Sequence, residues 1–196
     1  MAEHGDAPQT EIVLVRHGET EWSRDGRHTG RTDVALTEPG RVEAEALGAV
    51  LDGWSFELVL TSPLSRATET CRLARFGDVA IPSDDLLEWY YGAYEGRTTK
   101  EIREERPGWT LWRDGVPGGE TAADVGARAD RVVARLRREG GAAAVFAHGH
   151  LLRVLTARWL GLEPDQGRLF ALDTATIGVL GFERETAVIR LWNRRP

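Results

Sequence analysis

Apolar residues along this chain alternate between short unbroken runs and longer stretches in which they recur every three or four positions. Glu11–Arg16 (EIVLVR) is a β-branched run and reads as a buried strand. Residues 18–37 carry many Gly, Arg, Thr and Asp with no period, which predicts a long loop. Thr37 is an N-cap for a helix in which Val42, Ala46, Leu47, Val50 and Leu51 share a face, and Gly53 ends it. Residues 56–60 form a second strand. Ser62 and Pro63 open a helix to about residue 75, with Pro63 near the first turn, where proline is tolerated. Residues 79–81 read as a short third strand, 82–97 as aromatic and aperiodic, 98–105 as a helix stopped by Pro107, and 107–119 as loop. Thr121 caps a helix whose apolar face is Val125, Ala129, Val132, Val133 and Leu136, and the charged run 128–139 reads as its solvated face. Gly140 and Gly141 end that helix. Ala142–Ala147 (AAAVFA) is another strand, followed by a helix carrying Leu151, Leu152, Leu155 and Trp159. Residues 177–182 and 187–192, joined by a turn at 183–185, form a β-hairpin.

Strands and helices thus alternate over most of the chain, which predicts an α/β fold with a mostly parallel sheet and helices on both faces. Its 196 residues suit one domain spanning 1–196, with 1–10 a loose tail. A hydrophobic share of 41% supports a full core and excludes global disorder. The net charge of −6 argues against nucleic-acid binding, which needs a broad basic face. It leaves room for anionic small molecules, because clustered arginines reverse the field inside a cleft. Cys71 is the single cysteine, so no internal disulfide forms, and a reducing compartment fits. The first residues have no basic segment followed by an apolar one, and no apolar run reaches membrane-spanning length. The expectation is a cytoplasmic protein without nucleic-acid or membrane partners. The hairpin edge offers a surface on which two copies can pair as a homodimer.

Two predicted strands end in histidine: EIVLVR runs into His17-Gly18, and AAAVFA into His148-Gly149. Ligands of open α/β sheets bind at the carboxyl ends of the strands, so both histidines can meet in one site. A glycine after each, notably Gly149, lets backbone N–H groups approach an anion closely. Arg16 adjoins His17, and Arg66 lies in the first turn of a helix starting at the same sheet edge, where the dipole favours phosphate. Guanidinium groups bind phosphate oxygens bidentately. A neutral imidazole can attack phosphorus while the cations neutralise the equatorial oxygens. The departing alkoxide then needs a proton. Glu88, within Leu86-Leu87-Glu88-Trp89-Tyr90-Tyr91, is a carboxylic acid in a partly apolar setting that can hold one.

The ordered set Arg16-His17-Gly18-Glu19-Thr20, Ser62-Pro63-Leu64-Ser65-Arg66-Ala67 with Thr70, Leu87-Glu88 with Gly92 and Glu95-Gly96, Gly119-Glu120-Thr121, and His148-Gly149 resembles the histidine phosphatase superfamily, also called phosphoglycerate mutase-like. The resemblance covers about residues 11–182. Each motif is weak alone; the five in order are specific. The resemblance implies a three-layer α/β/α sandwich, a phosphate pocket of Arg16, His17, Arg66 and His148, His17 as nucleophile, Glu88 as proton donor, and no metal or other cofactor. Many members carry Asn where this chain has Ser23. The stretch 21–30, with Trp112-Arg113-Asp114-Gly115, is most similar to the sugar-phosphate and sedoheptulose-bisphosphatase-like members, and that likeness implies a substrate pocket lined by Ser23, Thr29, Gly30 and Tyr91. The implied partner is a small phosphorylated metabolite.

Each residue also has a plainer reading. A strand-end histidine can be a satisfied core residue, Arg66 a surface ion-pair partner, Glu88 a solvated carboxylate, and Tyr91 and Trp89 packing residues. Ser23 and Thr29 can be loop caps. His28 and His150 acquire no role from sequence. Three rival functions stand beside hydrolysis. A mutase needs an insertion to exclude water, whereas only 31 positions separate Glu88 from Gly119 (119 minus 88). A zinc hydrolase could start from His148 and His150, but no third ligand is evident. A non-catalytic phospho-ligand binder would not need all five catalytic positions.

Overall fold

The computed structural model describes residues 10–196, so the reading of a loose tail over 1–10 lies, but for its last position, outside the described residues. The elements are β1 (Glu11–Arg16), α1 (Glu21–Arg24), α2 (Glu38–Leu51), β2 (Leu58–Thr61), α3 (Ser65–Leu73), β3 (Ile81–Pro82), α4 (Thr99–Glu105), α5 (Leu111–Asp114), α6 (Ala122–Glu139), β4 (Ala142–Ala147), α7 (Gly149–Trp159), β5 (Ile177–Glu183) and β6 (Thr186–Arg194). They build one six-stranded sheet in the order β3-β2-β4-β1-β5-β6. The four strands from β3 to β1 run parallel, and β5 and β6 join antiparallel as the expected hairpin.

Strand alternation explains the layers. Ile12 and Leu14 of β1 pack against Val125, Val132 and Leu152, on the side of α6 and α7. Val13 and Val15 point the other way, to Leu47, Leu51 and Cys71 of α2 and α3. Both faces of β1 are therefore buried, which is why its sequence is an unbroken apolar run rather than an alternating one. The architecture is an α/β sandwich with helices on both sides of a mixed sheet. Among the described residues no helix is long and apolar enough to cross a membrane.

Several local expectations are corrected. The loop 18–37 contains α1, which Thr20 and Ser23 open with reciprocal capping bonds. Helix α2 does not bury Val42 or Ala46; Val42 is 60% exposed. Its inner stripe is Gly40, Ala44, Leu47, Gly48 and Leu51. Small residues win that face because the helix approaches backbone: a Cβ on Gly40 would lie 2.1 Å from the Glu19 carbonyl oxygen. Helix α3 starts at Ser65, not Ser62, because a residue before proline is pushed to extended backbone, and Ser62 still bonds Phe146 across the sheet. The second strand is shifted to Leu58–Thr61, and the third begins only at Ile81 after a 3-10 turn, Gly77–Val79. A short helix, α5, interrupts 107–119. Arg128 is buried, so α6 is not solvated along all of its charged run.

Candidate active site

Parallel pairing of β1 with β4 aligns Arg16 with Ala147, so His17 and His148 leave adjacent strand ends together. Their rings lie 5.2 Å apart, centroid to centroid. His17 Nδ1 is 2.7 Å from the Gly18 carbonyl oxygen. A carbonyl only accepts, so Nδ1 carries the proton and Nε2 keeps a lone pair. Burial, then Arg66, then Arg16 push this imidazole well below the usual histidine pKa, so it is neutral at pH 7. Gly18 must be glycine: a Cβ there would meet the Gly40 carbonyl oxygen at 2.3 Å, and its N–H donates to Thr70 Oγ1 at 3.1 Å.

Arg66 and His148 are fully buried and form the back of the site rather than its open wall. Arg66 Nε donates to His148 Nδ1 at 3.2 Å, and its other nitrogens donate to the carbonyls of Thr32 (3.1 Å), Thr29 (3.2 Å) and Gly30 (2.9 Å). Since Nδ1 of His148 accepts, Nε2 carries the proton and donates to Ser62 Oγ at 2.7 Å. Burial and Arg66 hold this ring, too, well below the usual pKa. Glu95 organises the loop around Arg66, its Oε1 accepting from the N–H groups of Gly30 (2.8 Å) and Thr32 (2.9 Å).

Arg16 donates through Nη1 to the Leu172 carbonyl, while its Nε is buried without a partner among the described residues. Gly149 permits this packing, because a Cβ there would meet the guanidinium carbon at 3.2 Å. Glu88 reaches across to α7. Its Oε1 accepts from Trp89 N (2.8 Å) and Leu151 N (2.9 Å), and its Oε2 from His150 N (3.0 Å). His148 provides no side-chain cap, so Glu88 satisfies the first-turn donors of that helix. Tyr91 shares a 2.7 Å hydrogen bond with His150 Nδ1 and lies 4.8 Å from the His28 ring.

A cleft of about 280 Å³ opens over these groups, lined by Arg16, His17, Ser23, Thr29, Glu88, Tyr91 and Gly149, and also by Arg27, His28, Thr99, His150 and Arg153. Gly30 lies behind it and contributes its carbonyl to Arg66. The Ser23 hydroxyl is engaged with Thr20, and the Thr29 hydroxyl donates to the Arg27 carbonyl at 3.2 Å. His148 and His150 diverge, one toward Ser62 and the other toward Tyr91. Among the described residues no three His, Cys, Asp or Glu side chains group as metal ligands do. Sequence reasoning gave no role to Glu95, His28, His150 or Arg153. Glu95 stands in the motif that holds Glu88 and Gly92 but carried no role there; for Arg153 the one signal is its place a little over a turn beyond His148.

The family model of the histidine phosphatase superfamily (branch 1) matches residues 12–195. An acid phosphatase of Mycobacterium tuberculosis is 43% identical over 187 residues, 92% of each chain. The sedoheptulose 1,7-bisphosphatase of Saccharomyces cerevisiae is 39% identical over 183 residues, 76% of this chain and 67% of that one. The solved structure of an open-reading-frame product of Mycobacterium tuberculosis superimposes with a TM-score of 0.90 at 39% identity, covering 94% of this chain and 97% of that one. With neutral and cationic side chains gathered at the strand ends as the family motifs imply, this chain belongs to the histidine phosphatase superfamily and is a phosphatase of that type, acting on phosphorylated substrates.

Proposed function

We propose that the enzyme hydrolyses the phosphomonoester of a small metabolite through a phosphohistidine on His17, with no metal or other cofactor. The observation that carries this reading is the His17 ring. Gly18 holds its Nδ1 proton, Nε2 is unprotonated, and the side chain lines the cleft beside Arg16. In the first step Nε2 forms a bond to phosphorus as the ester P–O bond breaks, and Glu88 gives its proton to the departing oxygen. In the second step Glu88 takes a proton from water, the water oxygen bonds to phosphorus, and the P–N bond breaks, releasing inorganic phosphate. Arg16, with Arg66 behind it, supplies positive charge for the equatorial oxygens, and His148 holds Arg66 in place through Nδ1. The composition reading places this chemistry in the cytoplasm.

The test is rapid quenching of turnover of a 32P-labelled sugar phosphate in EDTA. The expected result is an acid-labile, alkali-stable label on residue 17, absent from His17→Ala protein together with all phosphate release. Label on another residue, or turnover that EDTA abolishes, overturns the scheme. Isomerisation of 3-phosphoglycerate with trace bisphosphoglycerate, without phosphate release, would instead make the chain a mutase.

A further inference from the structure

The pairing of β5 with β6 is interrupted near the end of β6, the strand at one edge of the sheet. Ile177 faces Arg194 and Val179 faces Leu191, so Trp192 and Asn193 of β6 stand opposite Gly178 alone. This is a β-bulge, a device that re-aims side chains at sheet edges. Asn193 sits at φ 54°, in the left-handed region that asparagine tolerates better than most residues. Gly178 makes room for the bulge: a Cβ there would meet Trp192 Cε3 at 2.9 Å. Two side chains are thereby turned onto the loop 170–176. Trp192 Nε1 donates to the Ala171 carbonyl, and its ring packs on Phe170 at 5.7 Å between centroids. Asp173 N donates to Asn193 Oδ1 at 2.8 Å, and Asn193 Nδ2 donates to Asp173 Oδ2 at 3.2 Å. Arg195 adds an exposed ion pair to the same carboxylate at 3.6 Å.

The loop gripped in this way is the one that holds Arg16 and His17. Leu172 lies between Ala171 and Asp173, and its carbonyl accepts from Arg16 Nη1. Ala175, at φ 51°, donates its N–H to the His17 carbonyl at 3.0 Å, and the Thr176 carbonyl accepts from Arg16 N at 3.1 Å. Thr176 Oγ1 closes the turn on the Asp173 carbonyl at 2.8 Å. A left-handed alanine persists only where its surroundings over-determine it. Among the described residues the Leu172 carbonyl is the one hydrogen-bond acceptor of the Arg16 guanidinium. The Glu88 and Asp173 carboxylates act on its charge without a hydrogen bond to it. Where the guanidinium stands in the cleft therefore depends on where one carbonyl stands.

We propose that Trp192 and Asn193 are positioning residues: from the edge strand they fix the Leu172 carbonyl, and through it the Arg16 guanidinium against the phosphoryl group. The inference rests on the hydrolytic reading only for the role of Arg16 at that group. Neither residue lines the cleft, so they act through Arg16 and not on the substrate. Misplacing a phosphate-orienting group by about 1 Å costs up to about 100-fold in rate. The phosphoryl group is common to every ester, so the effect is independent of the leaving group, unlike that of Glu88.

Asn193→Gly is the sharper probe, because glycine keeps the left-handed backbone and removes only the two bonds to Asp173. Trp192→Phe keeps a ring over Gly178 and removes the donor to Ala171. Each change is made in the natural sequence and in Arg16→Lys protein. Orthovanadate binding is measured by calorimetry, and turnover on both p-nitrophenyl phosphate and a sugar phosphate. With Arg16 in place, each variant weakens orthovanadate binding about tenfold and lowers kcat/KM by a similar factor on both esters. In Arg16→Lys protein the same changes cost about twofold or less, because the group they position is gone. The NMR signal of the Arg16 Nε–H group, assigned by its loss in Arg16→Lys, shifts in both variants without any ligand. Equal losses in the two backgrounds, or a loss confined to the sugar phosphate, overturn the proposal. So does an unshifted Nε–H signal, or a lowered urea midpoint with orthovanadate affinity unchanged, which makes the bulge purely structural. If the phosphatase scheme fails, turnover is absent throughout, while orthovanadate binding and the Nε–H signal still decide the coupling to Arg16.

Discussion

Glu88 caps α7 and is proposed to supply the proton, and substitutions separate the two. Its three backbone bonds cap α7, while its carboxyl group lines the cleft beside His17. Glu88→Ala removes both functions, and losing a helix cap costs about 1–2 kcal/mol. Glu88→Gln keeps an oxygen acceptor, and urea melts should show a smaller loss. Both variants should lower turnover of sugar phosphates by roughly 100-fold or more, the usual share of general acid catalysis. p-Nitrophenyl phosphate, whose leaving group needs no proton, should suffer far less. Equal losses for the two substrates would end the proton-donor assignment. His17 gives a second prediction. An ordinary histidine is half protonated near pH 6.5, and burial beside two arginines moves this one well lower. The ring proposed as nucleophile therefore stays neutral into acid, and the acid limb of kcat/KM should lie clearly below pH 6.5. A limb at or above that value would show that the ring is not held neutral. His17, Glu88 and Arg16 were legible because each stands in a local motif. The capping by Glu88 was not, since its partners His150 and Leu151 lie more than sixty positions away and only folding brings them near.

Helix α6 supports the site through one buried side chain. Arg128 is 8% exposed and donates through Nε and Nη2 to Glu120 at 2.8 and 2.9 Å. Its Nη1 donates to the carbonyls of Asp85 (2.9 Å) and Leu87 (2.8 Å), and Glu120 accepts from Tyr90 N at 2.8 Å. The strand-to-helix segment that carries Glu88 is thus clamped from α6 on both sides of that residue. Arg128→Met should cost about 3 kcal/mol, because it takes from Glu120 its close cation, leaving only Arg31 at 3.8 Å, and removes the donor from the Asp85 and Leu87 carbonyls. The loss of kcat should follow the leaving-group pattern of Glu88→Gln, sugar phosphates more than p-nitrophenyl phosphate. A variant that melts early but loses activity equally on both substrates would make the clamp purely structural. Periodicity found the apolar stripe of α6 from Val125 to Leu136, because packing against the sheet imposes it locally. It misassigned Arg128, since a charge facing solvent and a charge threading a buried loop look alike in a helical pattern. Helix α2 shows the converse error: Val42 fits an apolar period, yet close approach to the Glu19 backbone gives the inner face to Gly40 and Ala44.

Across the whole molecule the acidic balance of the surface hides a cleft built from cations and uncharged imidazoles. His17, His28, His148 and His150 all have pKa values lowered by burial, to about 4 for His28. Alternation of strands and helices made the layers legible from sequence, and the two strand-end histidines marked the functional edge of the sheet. It did not show that four of the five histidines share one region, because His28 comes from the loop after β1 and meets Tyr91 and His150 only across the cleft. This grouping makes stability depend on pH. In the unfolded chain each histidine takes up a proton near pH 6.5, whereas in the folded chain it does so only at lower pH. Between those values the unfolded state binds more protons, so stability is greatest above pH 6.5 and declines as pH falls toward the folded values. For His28 the window runs from about 6.5 to about 4. His28→Gln removes one such site while keeping a group that can meet Thr99, whose hydroxyl lies 3.3 Å from His28 Nε2. Urea unfolding at a series of pH values should show a steeper acid decline for the natural sequence than for His28→Gln. One site accounts for a slope difference of at most about 1.4 kcal/mol per pH unit within the window. Parallel curves for the two proteins between pH 6.5 and 4 would mean that His28 is charged in the folded state, and that the cleft wall is far better hydrated than its packing against Tyr91 and Trp109 implies.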